Sequence, residues 1–193
     1  MIFNECAAQP TDGLPFAGEF EVRSYQSRDR EEVLRLYLDG LLAGSVDPTD
    51  SASDVRNVSD WYFQRDQDHF WVAEAHERII GTVGVFEDQA RVAHLRRLRV
   101  DRTCQSKDDV ARALIATAIR HARLYGCLKL ILHTSLDESE AMKLVESLGL
   151  QLSRIREGCG RHLIEFYDNL YARDNTLDVS GIGSKIDEIQ PRM

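Results

Sequence analysis

The chain reads His94-Leu95-Arg96-Arg97-Leu98-Arg99-Val100-Asp101. From Gln105 it continues Gln105-Ser106-Lys107-Asp108-Asp109-Val110-Ala111-Arg112-Ala113-Leu114. The first stretch, from Ala93 to Val100, carries β-branched and leucine side chains between arginines, a strand pattern. Leu98 and Val100 share a face by the period-two rule, and Leu95 falls on the other face. Two arrangements satisfy this pattern. Either a β-bulge at Arg96-Arg97 returns Leu95 to the core side, or Leu95 faces a helix across the sheet. In the second stretch two aspartates open a helix, where the macrodipole favours acidic groups. Val110, Ala113, Leu114, Thr117, Ala118, His121 and Ala122 then form one apolar face at helical spacing. Gly126 ends it as a left-handed cap.

Upstream, Phe20 to Ser24 predicts a first strand. Acidic residues after Ser27 open a helix whose stripe is Val33, Leu36, Tyr37 and Leu41. Asp47 to Asp50 reads as a turn. Ser53 or Asp54 caps a second helix through Tyr62, with Val55, Val58 and Tyr62 on one face. Phe70 to Ala75 and Ile79 to Phe86 predict a hairpin closed at His76-Glu77-Arg78. Downstream, Leu128 to Leu132 reads as a strand buried on both faces. Asp137 and Glu140 fit a capping box for a helix that stops at Gly149. Leu152 to Ile155 and His162 to Phe166 form a last hairpin. The order β-α-α-β-β-β-α-β-α-β-β implies an α/β fold with a mixed, mostly antiparallel sheet of about six to seven strands and helices on both faces.

The 193 residues, 43% hydrophobic and 29% charged, suit one globular domain. Residues 1–19 read as an N-terminal arm, 20–172 as the domain and 173–193 as a flexible tail. A net charge of −8 argues against a general nucleic-acid binder. No apolar run approaches a membrane span, and the first residues lack the pattern of a secretory signal. Cys6, Cys104, Cys127 and Cys159 form no CxxC pair and the histidines no HxxxH pair, so no metal site is expected. Reduced thiols in a cytoplasmic protein are the expectation.

The segments His94 to Leu114, His121 to Gly126, Leu130 to Ser135 and Ala141 to Leu150 resemble, in order and spacing, the GNAT family of N-acetyltransferases. The resemblance implies the GNAT fold and acetyl transfer from acetyl-CoA to an amine acceptor. It implies that pantetheine lies where the strand of Leu98, Arg99 and Val100 splays from the strand of Leu128 to Leu132. It also implies a pyrophosphate loop of form Q/R-x-x-G-x-G/A, in which backbone N–H groups and a helix N-terminus hold the diphosphate. Gln105, Ser106, Lys107, Asp108, Asp109, Val110, Ala111 and Arg112 occupy that loop, with one residue inserted and the glycine replaced by Asp108 or Asp109. Two carboxylates there repel a pyrophosphate by about 1 kcal/mol each where water is partly excluded. Alternatively, one of them caps the helix and takes the anion's place.

The family's frequent base is a glutamate just before the Leu-Arg-Arg run, and His94 stands there. Its ordinary pKa near neutrality suits the role. Glu87 and Asp88 are alternative bases. The family's acidic tyrosine corresponds to Val145, which cannot donate a proton; Tyr125 and Ser139 are the candidate substitutes. Arg96 and Arg97 read as the charged outer face of a strand. Trp61, Tyr62, Phe63, Phe70 and Trp71 either line the acceptor cleft or build the core. The expected partners are acetyl-CoA and a small-molecule or peptidyl amine. A non-catalytic member of the fold, with weak or no acyl-CoA binding, is the second expectation. Monomer and homodimer stay open.

Overall fold

A computed structural model of the chain describes residues 19–39, 51–135, 143, 146, 147, 150–158 and 161–170. At 133–135, 154–158 and 161–164 it describes the backbone alone. The expected arm, tail, Asp47–Asp50 turn and Asp137–Glu140 capping box lie outside these residues.

Seven strands form one sheet: β1 Glu21–Ser24, β2 His69–Ala75, β3 Arg78–Glu87, β4 Val92–Val100, β5 Lys129–Ser135, β6 Gln151–Gly158 and β7 Arg161–Asn169. Their order is β1-β2-β3-β4-β5-β7-β6. Every pairing is antiparallel except β4 with β5. Helices α1 Arg30–Asp39, α2 Ser53–Arg56 and α3 Val58–Tyr62 cover one face, and α4 Lys107–Leu124 covers the other. Lys143, Glu146 and Ser147 are also helical.

Two cores follow from strand alternation. Trp71, Val83, Val85, Leu95, Leu98 and Val100 pack against Val110, Leu114, Ile115 and Ala118 of α4. Phe70 and Val72, pointing the other way along β2, pack with Val33, Leu36, Tyr37, Val55, Val58 and Tyr62. The expected β2–β3 hairpin forms, with His76 at φ 50° and Glu77 at φ 62° in its turn. Both central residues in the left-handed region match the twist of the flanking strands.

The predicted second helix is two short ones. Asn57 lies between them with φ −132° and ψ 54°. Neither Ser53 nor Asp54 caps it; Ala52 holds the N-cap position at φ 50° with no side-chain bond to the helix. The carboxylate of Asp54 is committed to Tyr62 and to Arg97 on β4 instead.

Candidate active site

The centre of the sheet forks. β4 and β5 pair in parallel from Val92↔Lys129 to Leu95↔Leu132. Beyond that point β4 stays with β3, through Arg96↔Gly84, Arg99↔Thr82 and Val100↔Gly81. β5 stays with β7, through His133↔Glu165, Thr134↔Ile164 and Ser135↔Leu163. The two strands therefore leave a wedge between Leu98-Arg99-Val100 and His133-Thr134-Ser135.

A bulge marks the start of the fork. Between Gly84↔Arg96 and Thr82↔Arg99, β4 carries one residue more than β3. Leu95, Leu98 and Val100 are all buried in the α4-side core, so the bulge is the arrangement adopted. The extra residue is accommodated at Arg97, whose φ is 56°. A side-chain-bearing residue in that region costs roughly 1 kcal/mol or more unless its surroundings hold it. Thr82 Oγ1 donates to the Arg97 carbonyl at 2.8 Å. The Arg97 guanidinium forks onto Asp54, Nε to Oδ2 at 2.8 Å and Nη2 to Oδ1 at 2.6 Å. It also stacks over the Tyr37 ring, 5.1 Å from its centroid. Arg97 is thus a tether between layers, whereas Arg96 is exposed as an outer-face residue, 6.0 Å from the Phe86 ring centroid.

After β4 the chain turns into α4 through a loop anchored by Asp101, a buried carboxylate. Asp101 accepts from the Thr103 N–H at 2.9 Å, from Thr103 Oγ1 at 2.7 Å and from Arg35 Nη1 of α1 at 2.9 Å. Burial opposes its ionisation, yet these donors hold its pKa below the usual carboxylate value.

Ser106 is the N-cap of α4, and no side chain caps the helix. Val110 N–H bonds the Ser106 carbonyl, so the first-turn amides ahead of it have no intrahelical acceptor. Asp108 and Asp109 are exposed and do not fold back over the helix end; the capping alternative is not realised. Gln105 is exposed, while Ser106 and Lys107 are half-buried at the mouth. Val110 and Ala111 are fully buried and seat the helix on the sheet. Arg112 reaches Ser147 Oγ at 3.3 Å, joining α4 to the helical residues that follow β5. The residues present fit a diphosphate: a helix N-terminus with no side-chain cap at Ser106, a lysine in its first turn and a nearby glutamine. The two carboxylates stand in solvent, where screening weakens their repulsion.

His94 is the next-to-last β4 residue paired with β5, opposite Ile131. Its neighbours Ala93 and Leu95 face the α4 core, so His94 faces the α1–α3 side. Its Nε2 lies 2.9 Å from Asp88 Oδ2. The hydrogen bond to His94 is the main reason that the Asp88 pKa lies below the usual carboxylate value. Asp88 Oδ1 meanwhile accepts from the Ala90 and Val92 N–H groups at 2.9 and 3.1 Å, closing the β3–β4 turn. Glu87 is not brought to His94. It pairs opposite Ala93 and so points to the other face, with its carboxylate 3.9 Å from Arg65.

The aromatic set divides. Tyr62, Phe70 and Trp71 are core; Trp61 and Phe63 are 44% and 39% exposed on α3 and just after it. Tyr125 lies against His121, ring centroids 4.6 Å apart, at the far end of α4 from the fork. Ser139, Val145 and the side chain of His133 lie outside the described residues. Sequence reading missed Asp54 as the partner of Arg97, and Arg35 with Asp101 as the loop anchor. Asp101 carried a local signal, a carboxylate two residues before a threonine at a strand end. Asp54 carried none. Among the described residues no group of three His, Cys, Asp or Glu could hold a metal ion. No described helix is long and apolar enough to cross a membrane.

Comparison with known proteins agrees with this architecture. Human N-acetyltransferase 8B is 29% identical over 103 residues, covering 51% of this chain and 45% of that protein. The chain thus spans about half the length of the curated relatives it matches. A GNAT acetyltransferase from Staphylococcus aureus Mu50 superposes with a TM-score of 0.66 at 18% identity, over 78% of this chain and 99% of that one. Spermidine N-acetyltransferase from Vibrio cholerae, solved with CoA and spermine, superposes with a TM-score of 0.61 at 18% identity, over 79% and 96%. The model of the acetyltransferase (GNAT) family matches residues 28–150, more than half of the chain, and together with the forked sheet this shows that the chain belongs to that family.

Proposed function

We propose that this protein transfers an acetyl group from acetyl-CoA to the amine of a small molecule or a peptide. The carrying observation is the fork of β4 from β5 immediately ahead of an uncapped helix N-terminus. In this reading pantetheine lies along Leu98, Arg99 and Val100, beyond the last β4–β5 pair at Leu95↔Leu132. The diphosphate rests on the first turn of α4, contacted by Gln105, Ser106, Lys107, Asp108, Asp109, Val110 and Ala111, with Arg112 behind them. The thioester carbonyl then lies near the bulge, and a bulge N–H donates to it.

His94 is the base of this mechanism. With Nε2–H donated to Asp88, the Nδ1 lone pair remains to take a proton from the ammonium of the acceptor. Asp88 fixes the tautomer and stabilises the imidazolium as it forms. The free amine attacks the thioester carbon, the C–S bond breaks with its electron pair leaving on the CoA sulfur, and the surplus proton on the acylated nitrogen passes to that thiolate, giving amide and CoA thiol. Neither Val145 nor a tyrosine near the fork supplies its proton in this scheme; a thiolate is a fair leaving group without one. The acceptor enters from the α1–α3 face, on which His94 lies. Buried, unpaired Cys104 and Cys127 fit a reducing cytoplasm, and the net charge of −8 fits a protein without a nucleic-acid partner.

Calorimetric titration and thermal unfolding with acetyl-CoA and with CoA test the reading. Binding of either should raise Tm, and ligand at 100 times its Kd adds about 2.7 kcal/mol to stability. No binding at millimolar ligand would remove the transferase reading and leave the fold.

A further inference from the structure

We infer that Asp54, held by Tyr62, is a positioning residue for acyl transfer, acting through Arg97 on the β4 bulge. The inference rests on the acyl-CoA reading of the fork and adds to it a latch between the acceptor-side helices and the acyl-binding edge.

The latch is built from buried, polar and fully directed contacts. Asp54 is 3% exposed and Tyr62 is 2% exposed. Tyr62 donates its hydroxyl to Asp54 Oδ2 at 2.7 Å, and the same oxygen accepts from Arg97 Nε at 2.8 Å. Asp54 Oδ1 accepts from Arg97 Nη2 at 2.6 Å. Burial first, and then the Asp54 charge, drive the Tyr62 pKa far above its ordinary value, so its hydroxyl stays a donor. The Tyr62 ring reaches this place because β3 carries Gly84 there. A Cβ at residue 84 would stand 2.7 Å from Tyr62 Cε1.

The consequence lies in which residue is tethered. Arg97 is the left-handed residue of the bulge, so its side chain and its backbone twist are one mechanical unit. Holding the guanidinium in a forked, planar pair with Asp54 restricts rotation of the Arg97–Leu98 peptide. That peptide starts the β4 edge that β5 has left. An ordinary surface arginine would leave this unit free to flatten into a regular strand, which would turn Leu95 out of the core. The same carboxylate belongs to α2, on the acceptor face. One ion pair therefore sets the aim of the bulge amides and ties α2 to β4.

The test uses the full chain, acetyl-CoA labelled with 13C at the thioester carbonyl, and the variants Asp54→Asn, Arg97→Lys and Tyr62→Phe. Infrared difference spectra report the hydrogen bond to the bound carbonyl, calorimetry reports affinity, and release of CoA thiol in the presence of spermine or glycine reports turnover. In the parent protein the bound carbonyl band should move to lower frequency than in free acetyl-CoA. In Asp54→Asn and Arg97→Lys that displacement should shrink and kcat should fall about tenfold or more, because small misalignments of a reacting group are costly. The Kd for CoA should stay within about threefold, since the diphosphate is held at α4. Tyr62→Phe should give the same pattern more weakly. If Asp54→Asn does not fold, Tyr62→Phe, which removes one hydroxyl, carries the test. An unchanged carbonyl band in folded variants overturns the inference, as does loss of turnover that merely follows the folded fraction. Failure of the parent protein to bind acetyl-CoA instead sinks the transferase reading itself.

Discussion

Asp88 Oδ2 and His94 Nε2 lie 2.9 Å apart across the turn that joins β3 to β4. The carboxylate is rigid because its second oxygen closes that turn, so the imidazole is aimed by backbone rather than by a mobile side chain. If His94 is the base, His94→Ala should lower kcat/KM by about 10²-fold or more while leaving CoA affinity unchanged. Asp88→Asn should lower kcat less, because it perturbs the tautomer and keeps the lone pair. An unaltered kcat/KM in His94→Ala would assign the base elsewhere.

The mouth of α4 makes a prediction of opposite sign. Asp108 and Asp109 are exposed there and cap nothing. Replacing the pair by a single glycine should tighten CoA binding by roughly fivefold at low salt, the equivalent of about 1 kcal/mol of removed repulsion. The gain should shrink near molar salt. Lys107→Ala should weaken binding by a similar factor. Calorimetric titration at two ionic strengths checks both.

His69, half-buried on β2, stands against the buried His121 of α4, ring centroids 5.3 Å apart. His121 donates from Nε2 to the Gln67 carbonyl at 3.0 Å, and its buried Nδ1 has no hydrogen-bond partner. Burial, with His121 nearby, pushes the His69 pKa down to about 4. Burial lowers that of His121 as well. The fold therefore disfavours the protonated form of each, whereas the unfolded chain protonates histidine near pH 6.5. Between those limits the unfolded state binds more protons, so stability falls as pH falls from about 6.5 toward 4, by on the order of 2 kcal/mol for His69. Urea unfolding across this range should show the slope, and His69→Phe should flatten it.

Gly81 of β3 lies directly beneath Val110 and Leu114 of α4. A Cβ there would stand 2.8 Å from Val110 Cγ1 and 2.9 Å from Leu114 Cδ1. Gly81→Ala should destabilise the protein by about 1–3 kcal/mol through overpacking. It should also weaken CoA binding, because lifting Val110 displaces the first turn of the helix. Leu114→Ala, which leaves a cavity in place of a clash, should cost about 2–5 kcal/mol. Chemical denaturation and CoA titration of the two variants separate the effects.

Local periodicity made most of the architecture legible. The stripe of α4 and the alternations of β2, β3 and β4 are properties of neighbouring residues, and the hydrophobic effect reads them directly. The three-residue spacing of Leu95 and Leu98 even located the bulge as one of two arrangements. His94 was likewise legible, as the residue ahead of the Leu-Arg-Arg run, although its face and its partner were not.

What the chain determined alone, then, is its strands, its long helix and the acidic first turn of that helix, since each depends on side chains a few residues apart. Tertiary structure chose between the two placements of Leu95, since the left-handed backbone of Arg97 is held by Thr82, Tyr37 and Asp54, the last of them 43 residues earlier. It also decided the fork, because β5 keeps β7 as a partner along its whole length while its pairing with β4 ends at Leu132. No local pattern encodes either choice: an ion pair between layers and the point at which two paired strands part exist only once the chain is folded.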